Sequence, residues 1–131
     1  MLIAIALAHL LWSFGIMWPI RDRKLLAETV VGTPGIERMP FYVSFGVFAL
    51  TAIACVIAFA VADPTSGGPA LTGLAFIAGL VFLARGAVGY TGWWAERRPI
   101  EPFRALDRKT YSPLCLILGA GFLVLVAIRL L

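Results

Sequence analysis

The sequence predicts an all-α integral membrane protein, a bundle of four transmembrane helices, and three observations carry that prediction. The 131 residues are 61% apolar and only 14% charged, with a mean hydropathy of +0.95. Soluble domains run at about 45–50% apolar and about 25% charged, so the excess here must face something other than water. Four apolar runs, residues 2–20, 41–62, 70–90 and 112–131, stand out. Each is near the roughly 20 residues a helix needs to cross a hydrocarbon core of about 30 Å. Finally, nine of the eleven Lys and Arg residues fall in the two segments 21–40 and 91–111. Backbone groups in lipid must pair within their own segment, which favours helices for such runs. The ten-residue alternation of a transmembrane barrel is absent.

The first run has no Lys or Arg before it and no small-x-small cleavage pattern near its end, and Arg21, Arg23 and Lys24 follow it. It reads as a retained helix that exports its own N-terminus, not as a cleaved signal peptide. Residues 21–31 are expected to extend that helix or to lie along the interface with Leu25, Leu26 and Val30 facing lipid, until Gly32-Thr33-Pro34-Gly35 breaks the pattern. The second run carries a small face of Ser44, Thr51, Cys55, Ala58 and Ala62. Residues 63–69 are turn chemistry throughout, too short to let the second and third helices be anything but antiparallel neighbours.

In the third run Ala75, Gly79, Phe82, Gly86 and Gly89 make a narrow stripe at helical spacing, the composition of a helix contact in lipid. Pro102 opens a short interfacial helix, with Phe103, Leu106 and Thr110 on one face and Arg104, Arg108 and Lys109 on the other. Ser112-Pro113 reads as an N-cap and a first helical residue, so the fourth helix is expected to start there, with Cys115 and Gly119 on a small face.

The whole chain is thus one membrane domain. By the positive-inside rule, segments 21–40 and 91–111 are cytoplasmic. Both termini and the 63–69 hairpin then lie outside. Arg129 is placed to reach the outer headgroups. Trp18, Trp93 and Trp94 are placed at the cytoplasmic boundary. The basic residues flank spans and mix with Asp22, Glu28, Glu37, Glu96, Glu101 and Asp107, which argues against nucleic acid as a partner.

Few residues here carry chemistry. Arg85 lies in the third run, where a charge costs about 2.5–3.5 kcal/mol at mid-span and less toward the ends. Its side chain is expected to lean back toward the midplane, as helical side chains lean toward their own N-terminus. Two readings stand: an arginine held for structural reasons, or one that meets a ligand. His9, the only histidine, has Trp12 and Ser13 within about a turn. It is read as an interhelical hydrogen-bonding group or as a proton carrier. Cys55 and Cys115 lie at depths too different for a disulfide and form no Cys-x-x-Cys. No metal set, phosphate loop, serine elbow or embedded carboxylate is present, and no cofactor is implied.

The string Phe103-Arg104-Ala105-Leu106-Asp107-Arg108-Lys109-Thr110-Tyr111-Ser112-Pro113-Leu114-Cys115 resembles the signature of a bacterial family of small membrane proteins, domain of unknown function 3995. His9 and Trp12 match its His-x-x-Trp element, Arg85-Gly86 its Arg-Gly element, and Gly89-Tyr90 the Gly-aromatic stretch that follows. The resemblance spans nearly the whole chain. It implies a four-helix membrane protein of uncharacterised activity, with His9, Trp12, Arg85, Asp107, Tyr111 and Ser112 in one shared pattern. It names no substrate and no catalytic residue.

Candidate ligand-binding residues are therefore His9, Trp12, Ser13, Arg85, Tyr90, Asp107 and Tyr111. If the first, third and fourth helices converge, these groups line a small polar cavity open to the cytoplasm. Three functions compete. The leading one is an accessory subunit of the bacterial cytoplasmic membrane, whose partners are the lipid bilayer and another membrane protein or a second copy. The second is binding or transport of a small anionic or amphipathic molecule near Arg85 and His9. The third is an intramembrane enzyme, which lacks any paired nucleophile and base.

Overall fold

A computed structural model describes residues 1–131 as helices and connections without strands. The helices are α1 (Leu2–Ser13), α2 (Arg23–Val30), α3 (Phe41–Ala62), α4 (Pro69–Val88), α5 (Gly92–Arg97), α6 (Phe103–Leu106) and α7 (Ser112–Leu130). A π-helical turn, Asp107–Tyr111, joins α6 to α7 in one unbroken rod. Three helices, α3, α4 and the rod Phe103–Leu130, are long and apolar enough to cross a membrane. That is the construction of a membrane protein.

The first helix departs from expectation. α1 stops at Ser13 and not at residue 20, giving 12 residues. Gly15 takes φ +78°, and its amide donates to the Trp12 carbonyl at 3.1 Å while that of Ile16 donates to Leu11 at 3.0 Å. This pair of bonds is a Schellman stop, which satisfies the last carbonyls and turns the chain away. Apolarity continues past it, so hydropathy alone overshoots. Trp18 folds back, its carbonyl accepting from Trp12 Nε1 at 2.7 Å.

The start of the last helix departs too. Ser112 is helical and buried, with no capping role, because the helix already runs from Phe103. Proline inside a helix lacks an amide and clashes with the carbonyl four residues back. For Pro113 that residue is Lys109, inside the π turn, whose wider ring accommodates the clash.

The long helices pack as two antiparallel pairs, α1 with α3 and α4 with α7, and α3 bridges them. The α4 stripe is the contact surface expected: Ala75, Gly79, Gly86 and Gly89 are buried. A Cβ on Gly119 would lie 2.7 Å from Leu83 and 2.9 Å from the Gly79 carbonyl, so the two backbones touch. Phe82 and Phe122 stack beside that crossing with centroids 5.9 Å apart. Leu2, Ala54, Val61, Ala75, Phe122 and Val126 form the shared core. Cys55 and Cys115 are free thiols.

The segments that carry the nine cations come together at one end. Arg98 donates to the Val31 carbonyl at 2.7 Å and to Thr33 Oγ1, and Tyr111 donates to the Thr29 carbonyl at 3.2 Å. α2 starts at an Asp22 cap, whose Oδ1 accepts from the Leu25 amide at 2.9 Å. Its Leu26, Ala27 and Thr29 are buried, so Leu26 faces protein and not lipid, while Leu25 is exposed. The reason is α6, which packs on α2 and seats Phe103 there. Thr110 is exposed, and Tyr111 takes its expected place against Phe103, ring centroids 5.9 Å apart.

At the opposite end Arg129 does not turn to the surroundings. It donates to the carbonyls of Val61 at 3.0 Å and Asp63 at 3.2 Å, and to Ser66, tying α7 to the 63–69 link. Within that link Asp63 accepts from the Ser66 hydroxyl at 2.6 Å and the Thr65 hydroxyl at 2.7 Å. The Ser66 hydroxyl, then the Thr65 hydroxyl and amide, hold its carboxyl at about 2. A depressed carboxylate stabilises the turn above its ordinary pKa of 3.8 and loses that contribution as pH falls toward 2. An NMR titration is expected to find the Asp63 midpoint near 2 and to find it raised toward 3.8 by Ser66→Ala.

Candidate functional site

α4 carries Arg85 in its last turn, and the π turn carries Asp107 opposite it. Arg85 Nη2 donates to Asp107 Oδ1 at 2.7 Å. Trp94, on α5, donates from Nε1 to Oδ2 at 2.8 Å, and Ser112 Oγ sits 3.4 Å from Oδ1. Asp107 is 1% exposed, so all its partners come from the chain itself. Arg85 Nη1 is buried without a hydrogen-bond partner, and the Trp94 ring, 5.1 Å from Cζ, offers it a π face instead. Arg98 lies 5.3 Å from the same ring, so Trp94 joins the α4–α7 pair to the 31–33 turn.

Gly89 lets this cluster close. Its φ is ordinary at −61°, so the requirement is space alone: a Cβ would lie 1.8 Å from Ser112 Oγ and 2.9 Å from Asp107 Oδ2. Asp107 therefore lies at the level of Gly89, one turn beyond Arg85. The Arg85 side chain reaches toward its helix's C-terminal end, against the expected lean to the midplane. Coulomb attraction in a low-dielectric setting outweighs a rotamer preference.

The family described as "Protein of unknown function (DUF3995)" matches residues 2–122. The chain belongs to this family. No curated protein and no solved structure matches it.

In this DUF3995 chain the matched stretch includes Arg85, Asp107 and Ser112, which the structure joins. The other predicted residues stand elsewhere. His9 Nδ1 donates to the Ile5 carbonyl of its own helix at 2.9 Å, and its ring meets Trp12 edge-on at 4.8 Å. Ser13 donates to Leu10 at 2.7 Å. No hydrogen bond or ring contact joins His9, Trp12 or Ser13 to Arg85. The cause is pairing: α1 packs on α3, while Arg85 lies in the α4–α7 seam. Tyr111 faces α2, and Tyr90 donates to the Arg108 carbonyl at 3.2 Å.

Trp94, Gly89 and Ser112 belong to the cluster; from the sequence Trp94 reads as a boundary aromatic, Gly89 as one of a stripe and part of the Gly-aromatic match, and Ser112 as a cap that the family resemblance also sets in the shared pattern. No three His, Cys, Asp or Glu side chains gather as a metal set. Both Asp107 oxygens are occupied by donors, an arrangement suited to holding helices together.

Gly89→Ala is expected to cost about 1–3 kcal/mol by overpacking. Thermal unfolding in detergent micelles would measure it. Adding Ser112→Ala should recover part of the loss, since it removes the nearest atom.

Proposed function

We propose that this chain is a multi-pass protein of the bacterial cytoplasmic membrane that serves as an accessory subunit for other membrane proteins. α3, α4 and α7 make three crossings and the shorter α1 a fourth, with the cation-rich end in the cytoplasm and both termini outside. The observation that carries the reading is the closure of Arg85 on Asp107, Trp94 and Ser112. The charge that most suggested a substrate acts as an internal clamp. What the molecule offers outward is apolar helix surface, such as Leu50, Ile53, Val56 and Phe59 on α3. Grouping of segments 21–40 and 91–111 at one end supports the orientation.

Purification in mild detergent with mass measurement tests the role. The expected particle exceeds the 14.1 kDa chain after correction for detergent, and a lone protomer without a partner overturns it. Orientation is tested in a Cys55→Ala/Cys115→Ala background. Ser66→Cys should react with an impermeant maleimide added outside intact cells, and Thr110→Cys should not; the reverse pattern overturns the orientation.

A further inference from the structure

α1 has 12 residues where its partner α3 has 22, so the start of α3 has no α1 beside it. The Schellman stop at Gly15 sends residues 14–17 along one side of the gap, and residues 35–42 line the other. The result is a cleft of about 840 Å³. That lies in the range of small-molecule sites, roughly 300–1,000 Å³.

The cleft walls are mixed. Phe14, Phe41 and Tyr42 supply apolar surface, and Arg23, Arg38 and Glu37 supply charge. The two ion pairs of the molecule are Lys24–Glu28 and Arg85–Asp107, so neither cleft arginine is neutralised and Glu37 is unpaired as well. Phe41 opens the apolar α3, so the cleft spans the border between apolar helix and charged end.

We propose that this cleft binds an anionic phospholipid, with its phosphate between Arg23 and Arg38 and an acyl chain against Phe14 and Phe41. Guanidinium groups match phosphate oxygens with paired donors, whereas a zwitterionic headgroup brings its own cation. Glu37 lines the same cleft and disfavours a second anion, so Arg23, Arg38 and Glu37 together leave a net single positive charge for one phosphodiester. The site is separate from the Arg85 clamp and does not depend on the accessory role.

Native mass spectrometry of the full chain, with phosphatidylglycerol and phosphatidylcholine of equal chain length in competition, tests the proposal. The wild type is expected to retain one phosphatidylglycerol in preference to phosphatidylcholine by on the order of tenfold, from two arginines facing one phosphate. Arg23→Ser/Arg38→Ser should bring the ratio to parity. Arg104→Ser/Arg108→Ser, which removes equal charge outside the cleft, should leave the preference in place. A wild type without preference, or equal loss in both double variants, overturns the proposal. So does displacement of the lipid by equimolar inorganic phosphate, which would mark a site for free anions.

Discussion

Asp107→Ala is expected to be among the most damaging single substitutions in this chain. It removes the acceptor for Arg85, Trp94 and Ser112 together and strands a guanidinium whose side chain is one-third exposed. Breaking a buried pair from one side costs about 3–5 kcal/mol, and partial access of Arg85 to its surroundings lowers the expectation to about 2–4 kcal/mol. Replacing both partners by leucine removes the charge and its penalty together, so Arg85→Leu/Asp107→Leu should lie well above the sum of the single losses. Unfolding by graded SDS in mixed micelles, followed by tryptophan emission, measures the wild type, Arg85→Leu, Asp107→Leu and the double leucine variant, the four corners of that cycle. The expected coupling is at least about 1 kcal/mol. Independent losses would mean that Arg85 and Asp107 do not hold each other, and the clamp would fall with that result.

The cluster was only partly legible beforehand, and the reasons are particular. Arg85 stood out because lipid makes any charge conspicuous. Asp107 stood out as part of a distinctive string. Their pairing did not, because they are 22 residues apart and the register between two helices is set by packing. That packing was itself half visible: the stripe from Ala75 to Gly89 marked the face of α4, and small residues admit a neighbouring backbone wherever one arrives. Which backbone arrives, and that Ser112 comes with it, depends on the π turn at Asp107–Tyr111. No composition signal announces such a turn except Pro113, which from the sequence reads as a helix start.

The bounds of α3 matched its apolar run because Pro40 and Asp63-Pro64 punctuate both ends. The end of α1 failed because Gly15 sits within an apolar run, where local turn chemistry and hydropathy disagree. Turn chemistry decides there, since a left-handed glycine satisfies the carbonyls that a stopped helix leaves open. Arg129 shows a related conflict. Its position near the chain end suggested headgroups, yet the open carbonyls of Val61 to Gly67 offered nearer acceptors.

Gly32→Ala probes how the charged end is built onto the long helices. Gly32 follows α2 with φ +64°, where a residue carrying a Cβ is strained by about 1–2 kcal/mol. Space is the second obstacle: a Cβ there would lie 2.4 Å from Cγ and Cδ1 of Phe103 and 2.7 Å from its Cβ. Phe103 is 3% exposed and cannot rotate clear without vacating its seat against α2. Overpacking adds about 1–3 kcal/mol, for an expected total of roughly 2–5 kcal/mol. Gly35→Ala separates the two causes, because Gly35 also has a positive φ, +76°, but nothing within 4 Å of its Cβ position. It should show the backbone cost alone. Phe103→Ala added to Gly32→Ala should restore the packing part while keeping the strain. The readout is again SDS-induced unfolding, joined by amide exchange at Thr29, whose carbonyl holds Tyr111. Equal losses for Gly32→Ala and Gly35→Ala would show that α2 does not bear on Phe103. In that case the charged end would be hung from the bundle by Arg98 and Tyr111 alone.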